Sequence, residues 1–141
     1  MRILFDTNVV LDVLLNRMPH AESAARLLVS VERKQIEGLL SATTITTLHY
    51  LIAKAVGSTR ARKHIETLLS LFDVAPVGRE VLAAALSLGF PDYEDAVLHE
   101  AARQAGATGI VTRDPRGFPK GRMKVYGPSE LVKAIAALPA A

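Results

Sequence analysis

The 141-residue chain has no cysteine and no tryptophan. Without cysteine there can be no disulfide scaffold, thiolate metal site or cysteine nucleophile. The absence fits a reducing cytoplasm, although a cysteine-free secreted chain would read the same. Aromatic residues make up only 5%, too few for an extended platform that stacks single-stranded bases. A membrane helix needs about 18 consecutive apolar residues. The stretch Gly38–Ala53 lacks formal charge but is loaded with threonine, so no span is expected. The apolar residues Ile3, Leu4 and Phe5 meet Asp6 too soon for a signal peptide. The Gly-rich phosphate loops G-x-x-x-x-G-K and G-x-G-x-x-G do not occur, nor does the G-x-S-x-G elbow of serine hydrolases. No low-complexity tract or internal repeat is visible.

What is present describes one globular domain over 1–141. Half the residues are hydrophobic and 22% are charged, which excludes a disordered chain. A chain of this length buries about 70% of its extended surface. Seventeen Lys and Arg against 14 Asp and Glu leave a net charge of +3. That balance permits nucleic-acid binding without demanding it.

Short apolar runs alternate with helical patterns. Strands are expected at Arg2–Phe5, Glu37–Leu40, Phe72–Ala75, Gly109–Thr112 and Val125–Tyr126. Helices are expected at Thr7–Leu15, Ala21–Lys34, Ser41–Val56, Thr59–Leu71 (capped by Ser58), Arg79–Leu88, Asp92–Ala105 and Pro128–Leu138. Strands separated by helices imply crossover connections. The fold class is therefore α/β, a three-layer α/β/α sandwich around a mostly parallel sheet. Strands that lack alternation fit a sheet covered on both faces. In such sheets ligands bind at the carboxyl ends of the strands.

Those ends are acidic. Asp6 follows the first strand, Asp114 lies just past Ile110-Val111-Thr112, and Asp92 and Asp95 open a helix three residues apart, on a shared face. Each acid also has a purely local use. Asp6 and Asp92 can cap helices, and Asp114-Pro115-Arg116-Gly117 suits a type I turn. The joint placement carries the weight: gathered at one edge, these carboxylates would raise each other's pKa or recruit a cation. Oxygen ligands without cysteine favour Mg²⁺ or Mn²⁺ over zinc. Arg113, Arg116, Lys120, Arg122 and Lys124 surround Asp114, as a phosphodiester substrate requires; a second basic group, Arg60, Arg62 and Lys63, reads as a solvated face. Phe90 and Phe118 read as core. His99, one turn after Asp95, reads as a surface or partly buried helix residue rather than a site residue.

The order Asp6-Thr7-Asn8, Ser41-x-x-Thr44, Asp92-x-x-Asp95-Ala96 and Thr112-Arg113-Asp114 with Gly117-Phe118 resembles the PIN domain family. The resemblance spans Arg2 to about Glu130. It implies an Mg²⁺- or Mn²⁺-dependent ribonuclease on a small α/β/α sandwich, often a VapC-type toxin paired with an antitoxin and often homodimeric. It implies Asp6, Asp95 and Asp114 as metal-binding carboxylates, Asp92 as a further acid of the catalytic set, and Asn8 and Thr112 as polar supports. Arg113 and Arg116 would hold substrate phosphates. There is one departure. The family usually carries another acid six residues beyond a Ser like Ser41, and Thr47 stands there; Ser41–Ala55 contains no Asp or Glu. A subgroup with a similar Thr-rich helix shares this loss. Asp12 is turned away from Asp6 by the helix and is expected to be exposed.

Other readings fit less well. Haloacid-dehalogenase phosphatases need an Asp two residues after the first, where Asn8 stands. Receiver domains need an Asp after the third strand and a Lys after the fifth, and neither is suitably placed. A non-catalytic RNA- or protein-binding module on the same fold remains the rival, because of Thr47.

Overall fold

The computed structural model describes residues 1–119 and 123–139; Lys120 and Arg122, two of the basic residues around Asp114, lie outside that set. Five strands form the sheet: β1 (Arg2–Phe5), β2 (Glu37–Ser41), β3 (Asp73–Ala75), β4 (Gly109–Val111) and β5 (Lys124–Tyr126). Seven helices accompany them: α1 (Thr7–Leu14), α2 (Ala21–Glu32), α3 (Ala42–Val56), α4 (Ser58–Leu71), α5 (Arg79–Leu86), α6 (Tyr93–Gln104) and α7 (Pro128–Ala136). Every expected element is present, with boundaries shifted by at most two residues. One local expectation fails. Ser58 is the first residue of α4 rather than its cap; Gly57 takes that place at φ +94°, a left-handed conformation that favours glycine.

All strand pairs are parallel, in the order β3-β2-β1-β4-β5. Side chains alternate across the strands and feed two cores. Ile3, Phe5, Leu40 and Val111 pack on one face with α1, α2, α3, α4 and α7. Leu4, Leu39 and Ile110 pack on the other with α5 and α6. This is the expected three-layer sandwich, and it explains why the strands read as continuous apolar runs. The first strand is rigidly seated: Phe5 is 1% exposed and meets Phe72 edge-on with ring centroids 5.1 Å apart. Truncating such a residue to Ala costs ~3–5 kcal/mol, a large share of the ~5–15 kcal/mol that holds a domain together.

The strand order fixes where a ligand can enter. From β1 the chain runs outward through β2 and β3, then returns across β1 to build β4 and β5 on its other side. The connections therefore diverge between β1 and β4, opening a crevice at their carboxyl ends. The residues next in line there are Asp6 after Phe5, and Thr112, Arg113 and Asp114 after Val111.

Candidate functional site

Asp6 leaves β1 in an extended conformation and caps α1; its Oδ1 accepts the Thr7 N–H at 2.7 Å. Its own N–H donates to the Val111 carbonyl at 2.9 Å, which extends the β1–β4 ladder by one rung. The Thr112 hydroxyl donates to Asp6 Oδ2 at 2.8 Å and accepts the Asp114 N–H at 3.2 Å. One hydroxyl thus joins the first acid to the loop bearing the last. Asp114 then leads into a single 3-10 turn, Pro115–Gly117, close to the expected tight turn.

Asp92 caps α6, its Oδ1 accepting the N–H groups of Glu94 at 2.8 Å and Asp95 at 3.3 Å. Asp95 sits in the first turn and is half-buried. Gly117 shows how the two halves meet. A Cβ built there would lie 3.0 Å from Asp95 Oδ2 and 3.8 Å from Asp114 Oδ2. The start of α6 and the loop after β4 therefore converge on one glycine, and any larger residue would press on Asp95.

The electrostatics tie all four acids together. The Asp95 carboxyl is pushed up from 3.8 to about 7, first by burial and then by the negative charges of Asp92, Asp6, Glu94 and Asp114. The Asp6 carboxyl is also raised, chiefly by burial; the Thr112 and Thr7 hydrogen bonds and the Arg113 charge oppose the shift, and Asp92 adds to it. The structure thus brings Asp6, Asp92, Asp95 and Asp114 within electrostatic reach of one another.

A divalent cation suits this donor set. The candidate donors are all carboxylate oxygens, as hard ions prefer. Asn8, half-buried in the first turn of α1, has a buried Oδ1 with no hydrogen-bond partner among the described residues. As the side chains stand, no three His, Asp or Glu of the described residues are close enough to enclose an ion. Mg²⁺ keeps several of its waters, so a carboxylate can hold it through water as well as directly.

Asp12 departs from expectation. It is not exposed; it is fully buried, and its Oδ2 lies 2.9 Å from Arg113 Nε. The helix does turn position 12 away from Asp6, but α1 has no solvent side there: Thr7, Val9, Val10, Leu11 and Asp12 are all buried. Arg116, by contrast, has a 97% exposed side chain, 3.9 Å from Asp114 Oδ1. His99 is also deeper than expected, at 3% exposed. It contacts Glu100 through Nδ1 at 3.2 Å and packs edge-on against Phe90, which meets Phe118 in turn. Thr47 is half-buried in an open cleft of about 360 Å³ that it shares with Thr43, Thr46, Tyr93 and Glu94. A larger cleft of about 550 Å³, lined by α2 and α7, contains no acid.

Sequence reasoning puts Asp12 at the surface when it is buried, and gives no sign of the hydroxyl pair Thr7–Thr44, whose oxygens lie 3.1 Å apart and tie α1 to α3. Asp12 could have been found as an acid in an otherwise apolar helix stripe, Val9-Val10-Leu11 to Val13-Leu14.

A family model described as PIN domain matches residues 2–116, a span that includes all four acids. The chain belongs to the PIN domain family. Solved structures agree with this PIN fold. VapBC2 from Rickettsia felis, bound to a DNA fragment from its promoter, is 13% identical at a TM-score of 0.71; the match covers 90% of this chain and 98% of that one. A toxin-antitoxin complex from Klebsiella pneumoniae is 22% identical at 0.69, covering 89% and 97%. VapC20 from Mycobacterium tuberculosis, a toxin that cleaves the sarcin-ricin loop, is 17% identical at 0.64, covering 77% and 86%. A search of curated proteins found no match. At these identities the likeness establishes the fold; the chemistry rests on the residues of the PIN domain itself.

Proposed function

We propose that this PIN domain is a divalent-metal-dependent endoribonuclease that hydrolyses RNA phosphodiesters as the toxin of a VapBC-type pair. The single observation behind this reading is the acidic cleft: four carboxylates at the carboxyl edge of β1 and β4, with Asp95 raised to about 7 by burial and its acidic neighbours. PIN proteins are generally nucleases, and neighbours of this fold are toxin-antitoxin complexes. An antitoxin protein is the partner proposed by that analogy, with a homodimer as the assembly and the cytoplasm as the location. No helix of the described residues is long and apolar enough to cross a membrane.

Asp6, Asp95 and Asp114 would hold Mg²⁺ or Mn²⁺. When bound, the ion supplies a Lewis acid and lowers the pKa of a coordinated water. The protein's share is positioning. Thr112 fixes the Asp6 carboxylate by its 2.8 Å hydrogen bond. Asp92 holds the backbone N–H of Asp95 and so sets where that carboxylate starts. Asn8 adds an oxygen in need of a partner. Asp95 must give up its proton before it can act as a ligand. Arg116, free in solvent, would meet the substrate phosphate; Arg113 adds a positive charge beside Asp6.

The decisive assay is cleavage of a structured RNA panel by wild type and Asp114→Ala, with Mn²⁺ and with chelator. Cleavage that needs Mn²⁺ and is lost in Asp114→Ala supports the proposal. One observation favours a second reading, a binding module without catalysis: Thr47 stands where α3 would carry another acid. RNA binding without Mn²⁺-dependent cleavage, unaffected by Asp95→Ala, would establish that reading instead.

A further inference from the structure

We infer that the buried acid Asp12 is a positioning residue for the reaction proposed above, and that it works by locking Arg113 and with it the loop that carries Asp114. The inference rests on the nuclease reading and gives Arg113 a role other than phosphate contact.

Asp12 has no solvent exposure, and neither carboxylate oxygen has a hydrogen bond among the described residues. Burying an ion is expensive unless an opposite charge accompanies it. The compensation here is an ion pair: Arg113 Nε stands 2.9 Å from Asp12 Oδ2, off the line of an aligned hydrogen bond. The Arg113 side chain is 31% exposed, and its Nε faces the buried Asp12 carboxylate. A phosphate-binding arginine would keep its fork free, as Arg116 does at 97% exposure.

The geometry around the pair shows what it holds. Thr112, Arg113 and Asp114 follow β4 in succession. Thr112 is tied to Asp6, at the start of α1, through its hydroxyl. Arg113 is tied to Asp12, further along the same helix. Two consecutive residues are thus anchored to α1 immediately before the acid that must be aimed. Past Asp114 the loop enters its 3-10 turn and runs into Gly117, which abuts Asp95. Freeing Arg113 would let the segment between two fixed acids shift, and a displacement of about 1 Å in such a site can cost ~100-fold in rate.

The test uses Asp12→Asn, Arg113→Gln, the double variant and Arg116→Gln in the full chain. Asp12→Asn and Arg113→Gln should each lower kcat by about 10- to 100-fold. Each should change KM for RNA by less than about twofold, because the interaction lost is not with substrate. The double variant should be no worse than the worse single one. It leaves no unpaired charge buried, so it carries the test if Arg113→Gln alone, which strands the buried Asp12 carboxylate, does not fold. Two readouts do not depend on turnover. Mn²⁺ titration of RNA-free protein should show about tenfold weaker binding in Asp12→Asn, by the same loss of aim. RNA binding in chelator should lose salt dependence by a slope of about 0.7–0.9 in Arg116→Gln and by none in Arg113→Gln. Arg113→Gln that raises KM and flattens the salt slope at unchanged kcat would make Arg113 a phosphate contact and overturn the inference. So would Asp12→Asn with unaltered kcat and Mn²⁺ affinity beside an active wild type. A wild-type chain that neither binds Mn²⁺ nor cleaves RNA would remove the nuclease reading itself, and this inference with it.

Discussion

Two carboxylates on one helix, five residues apart, have opposite fates. Asp95, in the first turn of α6, faces other acids and is pushed up to about 7. Glu100, in the middle of α6, is 4% exposed, yet its carboxyl is held below its ordinary value. Hydrogen bonds from Arg103, at 3.0 and 3.1 Å to Oε1, are the main cause, with His99 adding to them. Burial acts on both; the neighbours decide. A structural acid is placed beside a cation that satisfies it. An acid surrounded by acids is left unsatisfied, and its stabilisation waits for something the chain does not supply. Asp12 also stands beside a cation, Arg113 in the loop after β4, but neither of its oxygens has a hydrogen bond among the described residues.

The comparison breaks most visibly under substitution. Asp95→Asn should lower Mn²⁺-dependent RNA cleavage by about 10³-fold or more, since the loss falls on groups that act as a unit, while circular dichroism and melting stay close to wild type. Glu100→Gln should do the reverse. Losing the charged hydrogen bonds to Arg103 should cost roughly 1–3 kcal/mol in urea unfolding, and the protein still folded should cleave at the wild-type rate. Equal loss of cleavage in both variants would mean that the two carboxylates do not divide as described.

pH sharpens the same contrast. Between 3.8 and about 7 the metal-free fold keeps a proton on Asp95 that the unfolded chain has released. Stability of the metal-free protein should therefore fall as pH rises through that window, and fall less in Asp95→Asn. Glu100, lowered in the fold, contributes stability above its unfolded value and loses it as pH falls toward its folded one. Mn²⁺ affinity should climb as pH rises through about 7, because the ion competes with the Asp95 proton. Thermal melts with and without Mn²⁺ across pH 5 to 8 read both effects; a flat Mn²⁺ affinity would count against Asp95 as a ligand. The smallest effect belongs to Gly117→Ala. Its Cβ would crowd Asp95 Oδ2 at 3.0 Å, so Mn²⁺ binding should weaken by a factor of about 3–10, the equivalent of roughly 1 kcal/mol of displaced ligand geometry.

The fold was largely legible because its signals are local. Continuous apolar strands, amphipathic helices and the parallel order they imply all follow from periodicity and crossover rules, and the acids after Phe5 and Val111 fall at the strand ends. The site was legible in its members and less so in its supports. Asp6, Asp92, Asp95 and Asp114 could be named because each follows a strand or opens a helix. Asp12 could not be placed. Its helix position says that it turns away from Asp6, but only the folded chain shows that the loop of Arg113 closes over it. His99 was read as too exposed for the same reason: Phe90 and Glu100 enclose it through contacts that helix periodicity does not encode. Long-range pairs between charged groups leave no spacing signal in a single sequence, which is also why Arg113 and Arg116 looked alike there and differ in the structure.

The most direct test is to soak crystals of the protein in MnCl₂ and locate the ion by its anomalous scattering. The expected result is a peak in the cleft between the carboxylates of Asp6, Asp95 and Asp114, lost in Asp95→Asn. An empty cleft at saturating Mn²⁺, or a peak bound elsewhere while the cleft stays vacant, would contradict the proposed metal centre.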